Sequence, residues 1–160
     1  MRIENHYYDV KCLDVSKVVD ANNFITGYGD GTCAAWDPTT LQMLVKCKPH
    51  RGSVNAIAFS PKVPRLAISG GADGDIHLLD IGSKSAPNLV KATGSLSSLG
   101  EVSSVAFHHN GINCAVGTSM GKICLYDLRN CQNPLETIDN SEGNVYPVYG
   151  LLYQVSPLKK

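Results

Sequence analysis

The stretch from residue 66 to residue 80, LAISGGADGDIHLLD, carries the pattern that decides the fold. Two short and mostly apolar runs, at 66–69 and 76–79, flank a turn rich in glycine and aspartate. Both runs are too short for stable helices and are bounded by turn residues, as strands are. Glycine accepts the positive φ that tight hairpin turns require. The stretch therefore predicts a β-hairpin.

The same hairpin pattern occurs three times. Each glycine-rich turn is followed by a short apolar run that closes on aspartate, and the closing aspartates recur 43 and 47 residues apart. Two similar periods indicate a structural repeat, with a loop insertion in the longer one. Residues 82–100 are rich in serine, glycine and lysine, which is typical of an exposed loop. The turns lie at residues 27–31, 70–74 and 117–121, and the closing residues are Asp37, Asp80 and Asp127.

An apolar template precedes each hairpin, with apolar residues at its first, fourth and sixth positions. It begins at Val10, Val54 and Val102, and a fourth time at Val148. Periods near 45 residues and strand-like runs predict an all-β chain with four short antiparallel strands in each repeat. We expect one domain over 1–160, with repeats at about 6–37, 50–80 and 98–129 and a truncated fourth from about 144.

The repeats resemble those of the WD40 family, whose repeats form the four-stranded blades of a β-propeller. The second repeat matches best, with a histidine four residues before its template, Ser-Pro after it, and Asp-Gly in the turn. In the family, buried His, Ser/Thr, Asp and Trp side chains form a hydrogen-bonded chain within a blade, and these groups satisfy one another as donors and acceptors. The resemblance places this structural set at His6, Thr26, Asp30 and Trp36 in the first repeat and at His50, Ser69 and Asp73 in the second.

The later repeats depart from this set. Leu79 replaces the tryptophan of the second repeat, so the polar chain is expected to end at Ser69. In the third repeat Ser98 and Met120 stand where the histidine and the aspartate would be. We therefore expect the first blade to be the most complete and the third to depend on apolar packing.

Composition limits the classes of function. The chain has 160 residues, 43% of them hydrophobic, and its 14 basic residues balance 14 acidic ones. A real core is possible, and nothing in the charge indicates direct binding to nucleic acid or to a membrane surface. The first ten residues lack the apolar run of a secretory signal. We expect an intracellular protein, cytoplasmic or nuclear, with no cofactor.

Six cysteines and one histidine pair raise the question of metals. The cysteines contain no C-x-x-C pair, so buried reduced thiols are expected rather than disulfides or a metal site. His108 and His109 are adjacent, and neighbouring strand residues point to opposite faces. We expect no bound metal.

A catalytic interpretation rests on residues 117–121, which match the G-x-S-x-G nucleophile elbow around Ser119. That motif needs a helix after the serine, whereas another strand follows here. Asp30 and Asp73 occupy equivalent turns of different repeats and do not form an acid pair. A serine hydrolase is therefore the disfavoured alternative to a non-catalytic protein-protein interaction scaffold.

Two surfaces are candidates for protein or peptide partners. In a propeller the loops that enter the innermost strands ring one end of the central channel, and tyrosine and arginine are frequent interface anchors. Residues 126–129, Tyr-Asp-Leu-Arg, also resemble the ending by which some WD40 proteins dock onto the adaptor of cullin-4 ubiquitin ligases, although this ending is common in the family. The predicted partner-binding residues are Tyr8, Arg51, Ser53, Glu101 and Arg129.

Three and a fraction repeats predict an incomplete ring, because family propellers close with about four to eight blades. We expect a fragment or a truncated isoform. The alternatives are pairing with itself or another chain to complete a propeller, or capping by the terminal segments. Single blades resemble nucleolar WD40 proteins of ribosomal small-subunit assembly and centrosomal WD40 proteins that recruit γ-tubulin complexes.

Overall fold

A computed structural model describes residues 9–18, 23–82, 89–92, 99–139 and 145–154, with the backbone alone at 89–92. In these ranges the chain forms three four-stranded antiparallel sheets and contains no α-helix. The predicted all-β architecture of four-stranded blades is confirmed. Among the described residues, no helix has the length and apolar character needed to span a bilayer.

Each sheet is a meander whose strands follow chain order from the inner strand to the outer one. The first sheet contains β1 (Val10–Val15), β2 (Phe24–Tyr28), β3 (Cys33–Trp36) and β4 (Met43–Cys47). The second contains β5 (Val54–Phe59), β6 (Leu66–Gly71), β7 (Ile76–Asp80) and β8 (Leu89–Ala92). The third contains β9 (Val102–Phe107), β10 (Asn113–Thr118), β11 (Lys122–Asp127) and β12 (Glu136–Asp139).

The central hairpin of each sheet turns on a glycine with positive φ. The values are +88° at Gly31, +75° at Gly74 and +74° at Gly121. Side chains with a Cβ rarely adopt this conformation, so glycine at the same place in all three turns is a backbone requirement.

The interpretation of residues 82–100 as an exposed loop is wrong at Leu89–Ala92, which form β8 and pair with β7. Outer strands pair on one side only and need no alternating apolar face. All four residues of Glu136–Asp139 in the third sheet are exposed, for example. Such strands leave little pattern in a sequence, and the predicted repeats accordingly end before them.

The core lies between neighbouring sheets. The cluster between the first and second sheets contains Ile25, Cys33, Ala35, Val54, Ile57, Phe59, Ala67 and Leu79. The cluster between the second and third contains Ile68, Ile76, Leu78, Val102, Phe107, Cys114, Val116, Cys124 and Tyr126. The second sheet therefore buries both faces, which fixes the stacking of the blades.

A glycine in the second strand of each sheet packs against the first valine of the next apolar template. A Cβ would lie 2.6 Å from Val54 Cγ1 at Gly27 and 2.7 Å from Val148 Cβ at Gly117, and it would overlap Val102 at Gly70. We call this repeated contact the glycine-valine seam. Because Val148 occupies the same place as the two earlier valines, residues 145–154 lie where the inner strand of a further blade would be.

Candidate functional site

A buried polar chain joins three residues of the second blade. His50 Nδ1 lies 2.9 Å from Asp73 Oδ1, and His50 Nε2 lies 2.9 Å from Ser69 Oγ. This pattern fits a neutral imidazole that donates from Nδ1 to the carboxylate and accepts at Nε2 from the hydroxyl. The second oxygen of Asp73 accepts from the backbone N–H of Arg51 at 2.9 Å. These hydrogen bonds tie the loop before β5 to the strand β6 and to the turn that follows β6.

Burial and hydrogen bonding together determine the protonation states of His50 and Asp73. Burial lowers the pKa of His50, and the hydrogen bond with Asp73 only partly opposes that shift. Burial also acts to raise the pKa of Asp73, but the hydrogen bonds from the Arg51 N–H and from His50 outweigh it, and the net pKa is lowered. A carboxylate beside a neutral imidazole is the result.

In the first blade polar side chains form two separate groups of hydrogen bonds, one around Thr26 and one around Asp30. Trp36 Nε1 donates to Thr26 Oγ1 at 3.0 Å, and the same hydroxyl lies 3.1 Å from the hydroxyl of Tyr28. Asp30 accepts from the backbone N–H of Thr32 at 3.0 Å and from its hydroxyl at 2.8 Å, so this aspartate closes its own turn. The predicted partner His6 lies outside the described residues.

The described residues of the third blade contain no counterpart of this polar chain. Val116 has the register position that Thr26 and Ser69 have in the other sheets, and Ser98 lies outside the described residues. Tyr126 replaces the tryptophan, and its buried hydroxyl has no hydrogen-bond partner among the described residues. The blade therefore packs a polar atom into an apolar site.

One group of side chains has the composition of a metal site. The ligand atoms of His50, Asp73 and His77 all lie within 4.8 Å of one another. The rings of the two histidines meet edge-on with centroids 4.6 Å apart. Both nitrogens of His50 already form the hydrogen bonds described above, and a metal would have to displace one of them. The rings of His108 and His109 lie 3.9 Å apart, and His108 also packs edge-on against Tyr153.

All six cysteines are free and lie in buried or half-buried positions. Cys12, Gly27, Cys33 and Cys47 stand opposite one another across the four strands of the first sheet. Burial raises the pKa of Cys12 to about 12 and that of Cys47 to about 11. These thiols are protonated at neutral pH and behave as small apolar side chains.

Ser119 lies in the turn between β10 and β11. Its hydroxyl oxygen accepts from the backbone N–H of Glu101 at 3.0 Å. A nucleophile elbow requires a helix after the serine, whereas the strand Lys122–Asp127 follows here. The hydrogen bond to Glu101 makes Ser119 an anchor for the loop before β9.

The inner strands β1, β5 and β9 begin at one end of the molecule, which we call the mouth. A cavity of about 420 Å³ opens there. Residues from three sheets and from the segment 145–154 contribute to it. Its lining residues are Lys11, Asn55, Glu101, Ser103, Ser119, Pro147 and Tyr149.

The charges in the mouth cavity differ in how they are compensated. Asn55 Nδ2 donates to Glu101 Oε2 at 3.3 Å and to the carbonyl of Val102 at 3.1 Å. The Glu101 carboxylate has no ion-pair partner among the described residues. Lys11, by contrast, lies 3.6 Å from a carboxylate oxygen of Asp9. Among the described residues, the cavity thus contains one hydrogen-bonded carboxylate outside any ion pair, together with the ammonium group of Lys11, which pairs with Asp9.

The predicted partner-binding residues do not all meet. Glu101 lines the mouth cavity, whereas Arg51 and Ser53 lie in the loop before β5 and do not line it. Arg51 is 84% exposed and pairs with Asp75 at 3.3 Å. Tyr8 lies outside the described residues.

Arg129 lies apart from the mouth, after β11. Its guanidinium donates to both carboxylate oxygens of Asp127, with Nη2 2.6 Å from Oδ2. These hydrogen bonds lower the pKa of Asp127 to about 2. The charge of Arg129 is therefore compensated within the chain.

Sequence reasoning missed Tyr149, which is 84% exposed at the rim of the mouth cavity. The hydroxyls of Ser103 and Ser104 donate to the carbonyl of Val148 at 2.8 and 2.7 Å, and the Val148 N–H donates to Thr118 at 3.1 Å. The fourth template predicts a strand beginning at Val148. It does not predict that the neighbouring tyrosine faces the mouth, because that depends on how the segment docks onto β9 and β10.

The repeated four-stranded sheets, their glycine turns and the second blade's His-Ser-Asp chain define a WD40-type β-propeller protein. A family model described as the N-terminal domain of nucleolar protein 10-like proteins matches residues 39–157. The chain belongs to this β-propeller family.

Individual relatives agree with the family assignment. Ribosome biogenesis protein ENP2 of Chaetomium thermophilum is 29% identical over 111 residues, which are 69% of this chain and 15% of that protein. Protein NEDD1 of Homo sapiens is 35% identical over 96 residues, which are 60% of this chain and 14% of that protein. The chain thus spans about one seventh of the length of these relatives.

Solved structures show the same fold. A chain in the crystal structure of the mitotic checkpoint complex superimposes with a TM-score of 0.73 at 20% identity, covering 91% of this chain and 40% of that one. The computationally designed Ika8 protein gives a TM-score of 0.74 at 26% identity, covering 95% of this chain and 42% of that one.

Proposed function

We propose that the chain is a non-catalytic interaction domain that binds a protein or peptide at the mouth. The mouth cavity carries this proposal, because it combines the exposed ring of Tyr149 with the carboxylate of Glu101, which forms no ion pair among the described residues. Tyrosine supplies a large contact area at a low entropic cost and is enriched among residues that dominate binding energy. Arg51 and Ser53 would extend the contact along the loop before β5.

A second cavity of about 280 Å³ lies at the opposite end of the inner strands. Its lining includes Phe59, Phe107 and Leu151. Asp14, Lys17 and His109 line it as well, so both cavities offer polar contacts. The tyrosine of this cavity, Tyr153, is half-buried, whereas Tyr149 at the mouth is exposed, so the mouth is the stronger candidate.

The non-catalytic part of the proposal rests on Ser119. Its hydroxyl accepts from a backbone amide, and the serine belongs to a turn between strands. If the purified chain hydrolysed a p-nitrophenyl ester and Ser119→Ala abolished that activity, the hydrolase alternative would replace the proposal. The proposed domain needs no cofactor, and the partner it binds is neither nucleic acid nor membrane.

We further propose that the partner belongs to the ribosome-assembly machinery, and that the chain acts inside the cell, in the nucleus or the cytoplasm. The match to nucleolar protein 10-like domains over residues 39–157 supports this assignment, as does the similarity to a ribosome biogenesis protein. The centrosomal alternative has support from the similarity to NEDD1 over a shorter part of the chain.

Docking onto a cullin-ligase adaptor through Arg129 is the weaker alternative, because Asp127 already compensates its charge. Recovery of that adaptor from cells with the wild-type chain, and its loss with Arg129→Ala, would revive this alternative.

Pairing with another chain has separate support in β1. The side chains of Leu13 and Val15 on this strand are 56% and 49% exposed. Burying such apolar area is favourable, so a further blade or chain is proposed to cover it. Native mass spectrometry of the purified chain tests the self-pairing version, which requires a dimer.

Photocross-linking tests the proposed function directly. A benzoylphenylalanine replaces Tyr149 at the mouth in one variant and Glu136 on the outer strand in the control. We expect the mouth variant to cross-link a ribosome-assembly protein and to sediment with pre-ribosomal particles, and the outer-strand variant to give no such product. Equal cross-linking from both positions, or none from either, would refute binding at the mouth.

A further inference from the structure

We propose that the mouth cavity receives an arginine side chain of the partner, held between the carboxylate of Glu101 and the ring of Tyr149. This inference rests on the proposed function and names the chemistry of the group that the same site recognises.

The balance of charge at the mouth favours a cation. Lys11 pairs with Asp9, and Arg51 pairs with Asp75. Glu101, which lines the cavity, has no such partner among the described residues. An incoming positive charge would therefore meet a carboxylate whose attraction is not already satisfied.

The carboxylate of Glu101 is also held in place. Its Oε2 accepts from Asn55 at 3.3 Å, and the backbone N–H of the same residue donates to Ser119 Oγ at 3.0 Å. A carboxylate has about four acceptor sites, so Oε1 and the second lone pair of Oε2 remain for the forked N–H groups of a guanidinium. Holding the acceptor in place reduces the ordering cost of that pair.

Tyr149 supplies the second half of the site. Its side chain is 84% exposed and lines the same cavity as Glu101. The hydrogen bonds of the adjacent Val148 to Ser103, Ser104 and Thr118 hold the backbone next to this ring. A guanidinium stacks flat on an aromatic face and forms bidentate hydrogen bonds in its own plane, whereas an ammonium group does neither, so arginine fits better than lysine.

Two peptides provide the test. The first is acetyl-Gly-Ser-Arg-Ser-Gly-amide, and the second carries citrulline, the neutral isostere, in place of arginine. NMR titration of the 160-residue chain is suited to weak binding. We expect the arginine peptide to shift the backbone signals of Glu101 and Ser119 and the ring signals of Tyr149 in a saturable manner. The citrulline peptide should bind about three- to fivefold more weakly, as expected for one exposed charge pair.

Matched variants assign the effect to the two side chains. Glu101→Gln should weaken the arginine peptide about three- to fivefold and remove its advantage over the citrulline peptide. Glu136→Gln makes the same change on the outer strand and should leave binding unchanged. Tyr149→Ala should weaken binding about two- to fivefold, and Tyr146→Ala, which removes an exposed tyrosine outside the cavity lining, should not.

Equal affinity for the arginine and citrulline peptides, or no saturable shift at the mouth, would overturn the inference. The proposed function would survive that result if cross-linking at Tyr149 still captured a ribosome-assembly protein. Loss of the cross-link with retention of arginine selectivity would instead leave the cation site and remove the proposed partner.

Discussion

The backbone of Gly70 lies against the side chain of Val102, so closely that a Cβ on the glycine would overlap the valine. The two residues belong to neighbouring sheets. The same relationship joins Gly27 to Val54 and Gly117 to Val148, so the spacing of adjacent blades is set by the absence of a side chain at one position in each repeat.

Substitution of Gly70 by alanine is therefore expected to destabilise the fold. The added methyl group must push Val102 or the backbone away, and overpacking of this kind costs about 1–3 kcal/mol. Urea denaturation followed by circular dichroism measures the change. Gly150→Ala is the matched control because a Cβ there meets nothing within 4 Å, and its free energy of unfolding should not fall. Equal losses in both variants would contradict the importance of the seam.

Tyr126→Phe is expected to increase stability. The substitution removes a buried hydroxyl that has no hydrogen-bond partner among the described residues while keeping the ring. An unsatisfied buried polar group costs about 1–3 kcal/mol, so the gain should be of the order of 1 kcal/mol. Tyr28→Phe provides the contrast, since that hydroxyl lies 3.1 Å from Thr26 Oγ1 and its loss should destabilise. Thermal unfolding of both variants compares the two signs.

Acidification is expected to destabilise the second blade through His50. Its pKa in the folded chain lies below the ordinary value of 6.5, so the unfolded chain binds the proton more readily. The stabilisation is fully present above about pH 7 and falls as the pH drops through the unfolded pKa towards the folded one. Each unit between the two pKa values corresponds to about 1.4 kcal/mol.

Urea denaturation between about pH 7.5 and pH 5 measures this dependence. His50→Gln should flatten the fall in unfolding free energy over that range. Gly150→Ala, which changes no titratable group and adds a Cβ that meets nothing within 4 Å, should keep the wild-type slope. A wild-type slope that persists in the His50 variant would assign the acid sensitivity to other groups.

The cysteines are expected to resist modification in the folded chain. Burial raises the pKa of Cys12 and of Cys114 to about 12, and the thiolate is the reactive form. Ellman's reagent at about pH 8 should react at least ~100-fold faster after unfolding in guanidinium chloride than before it, as expected for groups that react through unfolding. Rapid labelling of the folded chain, located by mass spectrometry at Cys12 or Cys114, would show that these sites open readily.

The inner strands and central hairpins could be predicted because an apolar template recurs in each repeat and each hairpin turns on a glycine with positive φ. Val54 and Val102 begin templates that recur, and Gly74 and Gly121 stand where the backbone demands glycine. A fourth strand was expected in each repeat, but its position could not be predicted, since residues such as those of Glu136–Asp139 are exposed and carry no apolar period.

The candidate site was predicted only in part, for a similar reason. Glu101 was identified because it precedes an inner strand, and the repeat fixes where such residues lie. Asn55 lies 46 residues from Glu101 in the chain, and Tyr149 lies on the segment after the third sheet. Both reach the same cavity only because the sheets pack together, and a local sequence pattern does not encode such packing. The pairing of Arg129 with Asp127 likewise depends on how the turn after β11 folds back.

The glycine-valine seam makes the contact between blades independent of the side chains inside each blade. Stacking one blade on the next depends on a small residue meeting a valine, and this holds at the third blade even though Val116 has replaced the polar centre. The interior of a blade can therefore change from hydrogen-bonded to apolar without altering the joint to its neighbour. Since the contact between blades is preserved, the loops at the mouth can differ in sequence from one blade to the next.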